Sequence, residues 1–211
     1  MSQHSTSAEE KLQPKTDRGR RTLRRLLDAA AEEFGARGYH ETAISHITQR
    51  AGLGLGTFYV YFKSKEEVFK AVVADMGAMT RHALSDAVRH AKDRLDAERL
   101  GIEAYIQFVR AHKGLYRIVM EAQFVAPEAY RDYYRVFSTA YRQQMSEAAA
   151  RGEVRTAGDD EVVVWALMGA STFVGLRYGV WEEDADVAGV AAAAADLMIY
   201  GLAPRVDDSA S

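Results

Sequence analysis

Residues 51–65 read AGLGLGTFYVYFKSK. Glycines at 52, 54 and 56 are followed by four bulky residues of high strand propensity, Phe58 to Tyr61, and then by Lys63 and Lys65. Propensity alone reads the aromatic half as a strand. Helical spacing reads it differently. Phe58 and Phe62, four apart, share one face, while Gly56, Thr57 and Val60 lie opposite, with Tyr61 at the edge. On that reading Gly52 supplies a turn of positive φ, and Gly54 and Gly56 keep the start of a short helix free of bulk, so that backbone can approach a phosphate. GLGLG is not a dinucleotide-binding loop, because its spacing is G-x-G-x-G and the segment before it is helical.

Working outward, the preceding AISHITQRA is a second short helix with Ile44, Ile47 and Ala51 on one face. Thr42 stands where its N-cap belongs, and Gly52 ends it. Before that, Leu23, Leu26, Leu27, Ala30 and Phe34 place a helix over about 22–36, closed by Gly38 in a left-handed turn. After it, SKEE (64–67) matches a capping box and opens a long helix towards residue 90. Further helices are expected at about 96–112, 114–123, 127–151, 160–180 and 186–202, with Pro127 in a first turn and Gly152 and Gly158 bracketing a loop. The fold class is therefore all-α, with about nine helices. The expected organisation is a polar tail over 1–17, a three-helix domain containing a helix-turn-helix over 18–65, a helical domain over 66–203 and a tail over 204–211.

The net charge of −3 hides an asymmetry. Residues 1–65 carry +4 and the remainder −7, and RGRRTLRR (18–25) holds five arginines in eight residues. A basic end of this kind suits a polyanion, although a solvated helix start has the same composition. With no cysteine, the chain has no thiolate metal site or cysteine nucleophile. Histidines 4, 40, 46, 82, 90 and 112 form no i, i+4 helical pair for zinc. No Ser/His/Asp set and no phosphate-binding glycine loop stands out, so neither enzyme activity nor a cofactor is expected. The absence of an uncharged apolar run near ~20 residues and of a signal-type N-terminal segment predicts a cytoplasmic protein with no membrane partner.

LLDAAAEEFGARGYHETAISHITQRAGLGLGTFYVYFKSKEEVF (26–69) resembles the N-terminal domain of TetR-type transcriptional regulators. The matching pieces are the AA..F...GY..T run, AGL at the turn, GTFY.YF and SKEE. The resemblance implies an all-helical homodimer whose helix-turn-helix binds a palindromic DNA operator, usually as a repressor, until a small ligand in the C-terminal domain releases it. It assigns DNA contact to Thr42 and Ser45 on the second helix, to Gly56, Thr57, Tyr59 and Tyr61 on the third, and to Lys65. Tyr59 and Lys65 would meet phosphates; Gly56 and Thr57 would face bases. The chain departs from the family pattern at Ala43, Thr48, Gly54, Leu55 and Val60. These changes leave few hydrogen-bond donors, and readout would lean on thymine methyls, DNA shape and the arginine-rich arm.

The middle of the chain is rich in aromatics and arginine. Tyr105, Phe108, Met120, Phe124, Tyr134, Phe137 and Tyr141 have the spacing of inward-facing residues, and together with Met168 and Phe173 further on they suit either a plain core or a pocket for a flat or long apolar ligand. Arg117, Arg131, Arg135, Arg142 and Arg177 would pair with an anionic head group, as in an aromatic or fatty acid or its CoA thioester, or with local carboxylates. Small residues in WALMGASTFVGLRYG and VAGVAAAAADLMIYG suit close helix packing around a two-fold axis. The resulting expectation is a ligand-responsive repressor. Its alternatives are an activator, or a helical carrier or enzyme that does not bind DNA.

Overall fold

The computed structural model describes residues 14, 16–154 and 160–201. The tails expected over 1–17 and 204–211, and Gly158, fall largely or wholly outside the described residues. Among these residues there are nine α-helices and no strand. They are α1 (Asp17–Arg37), α2 (Ile44–Ala51), α3 (Leu55–Tyr61), α4 (Lys65–Val88), α5 (Arg94–Ala111), α6 (Lys113–Val125), α7 (Pro127–Ala150), α8 (Asp160–Gly175) and α9 (Val187–Tyr200), with a π-helical segment, Leu176–Trp181, continuing α8.

The chain divides into two compact units, Met1–Met76 with Gly114–Arg131, and Gly77–Lys113 with Asp132–Ser211. In the first unit, α1 starts at Asp17, five residues before the expected Thr22, because the Thr16 hydroxyl accepts the Gly19 N–H at 3.1 Å and Asp17 favours the first turn. The arginine-rich stretch is thus the opening of a helix rather than an arm. Gly38 closes α1 with a φ of 81° but a ψ of 170°, so the chain leaves extended instead of curling left-handed. The end of α2 does curl. Gly52 has φ 61° and ψ 40°, and Gly52 and Leu53 donate to the carbonyls of Gln49 and Thr48 in a Schellman arrangement. Fully buried Leu26, Phe34, Ile47, Phe58, Phe62 and Phe69 make the core, and the Phe34 and Phe69 rings meet edge-on at 5.1 Å.

The cap of α2 differs from the expectation. Its N-cap is Ala43, which has no side-chain acceptor; His46 Nδ1 instead takes the Ala43 N–H at 3.2 Å. The SKEE box forms as expected, with the Glu67 N–H on Ser64 Oγ at 3.1 Å, except that the Glu67 carboxylate reaches back to the N–H of Lys63.

In the second unit, α9 packs along α5 around Ile102, Ile106, Ala191 and Ala195. The π segment lies against α5 as well, and Arg110 donates from Nε to the Tyr178 carbonyl at 2.9 Å and from Nη2 to the Ala185 carbonyl at 2.9 Å. The first bond satisfies a carbonyl that the helix end leaves open, and the second ties the following loop to α5. Residues 160–181 are long and apolar enough to cross a membrane by length and composition, although no uncharged run signals this in the sequence. Little of this segment is buried, and Phe173 and Trp181 are about 70% exposed.

Candidate nucleic-acid interface and effector cavity

In the first unit the two faces of α3 divide as the helical spacing predicts. Phe58 and Phe62 are sealed inside, while Leu55, Gly56, Tyr59 and Val60 are exposed and Thr57 is half-buried. A Cβ added at Gly56 would meet nothing within 4 Å, so the helix offers a shallow site where a base edge could come close. Tyr59 stands 53% exposed, and Ser45 on α2 is exposed too.

Three other expected contacts have work inside the unit. Thr42 is 1% exposed, and its hydroxyl donates to the carbonyls of Gly38 at 2.7 Å and Glu33 at 3.1 Å. This is a correction: a hydroxyl sealed by its own helix end cannot reach a phosphate. Tyr61 points its hydroxyl at the Gly19 carbonyl, 3.3 Å away. The Lys65 ammonium donates to the Tyr39 and His40 carbonyls at 2.8 and 3.3 Å and lies 4.4 Å from the Tyr39 ring centre. A cation in a first turn opposes the helix dipole, and here these carbonyls compensate for it without any phosphate.

The arginines of 18–25 divide in the same way. Arg24 forks onto both oxygens of Asp75 at 2.8 Å, tying α1 to α4, and Arg25 donates to the Ala51 and Gly52 carbonyls at the end of α2. Arg20 pairs with Asp17. Arg18 and Arg21 are exposed, and no ion pair joins either to another described residue. Glu33, 4% exposed, bridges Arg37 at 2.9 Å on α1 and Arg50 at 2.5 Å on α2. Burial alone would raise its pKa; the hydrogen bonds from Arg50 and Arg37 outweigh burial and hold the carboxyl below its ordinary range. Sequence reasoning missed this clamp because Glu33 and Arg50 are 17 residues apart.

The second unit contains a cavity of about 350 Å³. From α5 and α7 come Tyr105, Tyr133, Tyr134, Phe137 and Tyr141; α8 adds Met168, and α4 adds Arg81, Leu84, Ser85 and Val88. Five of the expected ligand residues therefore come together: Tyr105, Tyr134, Phe137, Tyr141 and Met168. The other six do not. Arg117, Met120 and Phe124 belong to the first unit, where Arg117 donates to the Ala36 carbonyl at 3.2 Å and Phe124 is 84% exposed. Phe108 stacks on His112 at 4.4 Å, Phe173 faces outward, and Arg177 pairs with Glu182 at 2.9 Å. Helical spacing fixes which residues share a face, but not which neighbour that face meets. Arg131 and Arg135 pair within α7 with Glu128 and Asp132.

One end of the cavity is polar. Arg94 and Glu98, one turn apart on α5, form an ion pair about 10% exposed at each side chain. Tyr141 donates to the second Glu98 oxygen at 2.5 Å, and Arg94 Nη1 donates to Gln144 at 3.1 Å. Burial, with the Glu98 charge beside it, pushes the Tyr141 pKa far up, so the hydroxyl stays a donor. Sequence reasoning passed over Arg81, Arg94 and Glu98, since a charged residue on an amphipathic helix usually marks a solvated face.

These features define an all-helical protein of two units, one with a helix-turn-helix and the other with a cavity. Residues 26–72 match the family model for bacterial regulatory proteins of the tetR family. The HTH-type transcriptional regulator YdgC of Bacillus subtilis is 29% identical over 195 residues, 90% of this chain and 97% of YdgC. The HTH-type transcriptional activator FasR of Mycolicibacterium smegmatis is 32% identical over 100 residues, 47% of this chain and 46% of FasR. Among solved structures, the transcriptional regulator FadR of Bacillus subtilis, in complex with stearoyl-CoA, aligns over 85% of this chain and 99% of its own with a TM-score of 0.73 at 17% identity. The family match over the helix-turn-helix and these relatives support a TetR-family transcriptional regulator, and the relatives are regulators rather than enzymes.

Proposed function

We propose that this protein is a ligand-responsive repressor that binds a palindromic operator as a homodimer in the cytoplasm. Residues 18–65 read the DNA, and the second unit holds the effector and the dimer contact. A small, mainly apolar effector occupies the cavity and lowers DNA affinity by favouring the state that binds DNA less well. The observation that carries this reading is the aromatic cavity in a unit separate from the helix-turn-helix. The FadR complex with stearoyl-CoA supports a fatty acyl compound as effector class.

Ser45, Gly56, Thr57 and Tyr59 are the proposed DNA contacts, with Arg18 and Arg21 adding phosphate contacts that carry no sequence information. Two recognition helices reach successive major grooves only if the subunits hold them about one DNA turn, ~34 Å, apart. The exposed apolar side chains of Phe173, Trp181 and Leu197 favour a second copy of the chain as the cover for α8 and α9. The activator FasR favours activation as the second reading.

Mobility-shift assays with the neighbouring promoter DNA test the central claim, and no binding at low salt would end it. Transcript levels in a deletion strain separate the two readings: they rise if the protein represses and fall if it activates. Sedimentation tests the dimer. Phe173→Asp with Trp181→Asp is expected to yield monomers, whereas a wild-type monomer or a membrane-bound fraction would overturn the assignment of that face.

A further inference from the structure

Two arginines and one glutamate line the cavity, and only one of the arginines is neutralised there. Arg94 commits Nε and Nη2 to Glu98 and Nη1 to Gln144, and its guanidinium lies 5.0 Å from the Tyr141 ring centre. Both Glu98 oxygens are taken, one by Arg94 and the other by Tyr141. That end is closed and neutral.

Arg81 is different. Its guanidinium lies 5.5 Å from the centre of the Phe137 ring and forms no ion pair with any described residue. A ring face holds the cation in place but accepts none of its planar N–H fork. The fork matches a carboxylate with two parallel hydrogen bonds. Ser85, one turn further along α4, lines the same cavity and adds a hydroxyl. Leu84, Val88, Ile102 and Met168 supply apolar wall.

We propose that the cavity binds a monoanionic amphiphile, a carboxylate on an apolar or aromatic body, with Arg81 as its head-group residue. This deepens the proposed reading of the cavity as the effector site and rests on it. A single unanswered guanidinium balances one charge, whereas the head of a CoA thioester carries several. The cavity also lies at the small end of the ~300–1,000 Å³ typical of ligand sites. Both features favour the free acid over its thioester as the occupant.

Calorimetric titration of the full chain with matched pairs tests this: decanoic acid against decanol, and phenylpropanoic acid against phenylpropanol, with decanoyl-CoA as a further arm. Each acid is expected to bind about tenfold or more tightly than its alcohol, and Arg81→Met to level the pair. Arg81→Lys, which keeps the charge without the fork, is expected to retain part of the preference, and it serves if the methionine variant misfolds. Three results would overturn the proposal: acids and alcohols binding alike or not at all, an acid preference that survives Arg81→Met, or decanoyl-CoA binding far more tightly than the acid. Mobility shifts keep the two readings apart. Acids that bind without releasing DNA would sink the regulatory reading alone; alcohols that release DNA as well as acids would sink only the role of Arg81.

Discussion

The Lys65 ammonium sits 2.8 Å from the carbonyl oxygen of Tyr39 and 4.4 Å from the centre of the Tyr39 ring, so the first residue of α4 fastens the turn that follows α1. Lys65→Met is expected to cost ~1.5–3 kcal/mol of stability, the range for hydrogen bonds from charged groups. If the ammonium also meets a phosphate, the salt slope of DNA binding falls by about 0.9. Denaturant unfolding and binding isotherms at several salt concentrations check the two effects separately. Lost stability with an unchanged slope would confine this lysine to the turn.

Thr42→Val is expected to destabilise by ~1–3 kcal/mol, because the substitution keeps the shape but leaves the buried Gly38 carbonyl without its hydroxyl partner. At temperatures where the variant stays folded, its DNA affinity and salt dependence should match wild type. Weaker DNA binding by a fully folded variant would reinstate this threonine at the interface.

On the recognition helix, Tyr59→Phe should weaken binding to all sequences alike, whereas Thr57→Ala should also relax base preference. Exposed Leu55 and Val60 suit contact with thymine methyls. Replacing thymine by uracil across a selected site should therefore lower affinity, and Val60→Ala should reduce that sensitivity. Site selection from a random library, repeated with each variant, is the measurement.

Glu33 sets an acid limit on the helix-turn-helix. Its folded pKa lies below the unfolded value, so its contribution is fully present above the ordinary carboxylate range of about pH 4 and is lost as pH falls through the depressed value. Glu33→Gln should remove this acid-side loss. It should also cost ~1–3 kcal/mol at neutral pH, less than for an enclosed pair, because Arg37 and Arg50 are about half-exposed. Unfolding followed from pH 7 down to about pH 3 would show parallel curves for variant and wild type if the clamp does not form.

Gly175 ends α8 against a cavity residue. A Cβ there would stand 2.4 Å from Cε1 of Tyr105. Gly175→Ala should cost ~1–3 kcal/mol through overpacking and should weaken effector binding by pushing the Tyr105 ring towards the cavity. Thermal unfolding with and without effector checks both; a variant with wild-type stability and affinity would show that the ring gives way freely.

The amino-acid sequence by itself determined the helices and their faces. Spacing four apart sealed Phe58 with Phe62 and left Gly56 and Val60 outward, Gly52 could only be a left-handed terminus, and Pro127 opened α7. These are local effects, decided within a few residues by backbone sterics and by one turn of helix. Tertiary structure decided which polar groups were already committed and which aromatics met. Thr42, Tyr61 and Lys65 turn to backbone carbonyls 4 to 42 residues away, and Phe124 and Phe173 face outward while Tyr141 lines the cavity. Arg94 and Glu98 carry no signal in the sequence, and they become the polar end of the cavity only because α7 brings Tyr141 and Gln144 over them. The reason is physical: periodicity fixes the direction of a side chain on its own helix, but burial and hydrogen-bond partners depend on what another helix places in front of it, and that is set only when the helices pack.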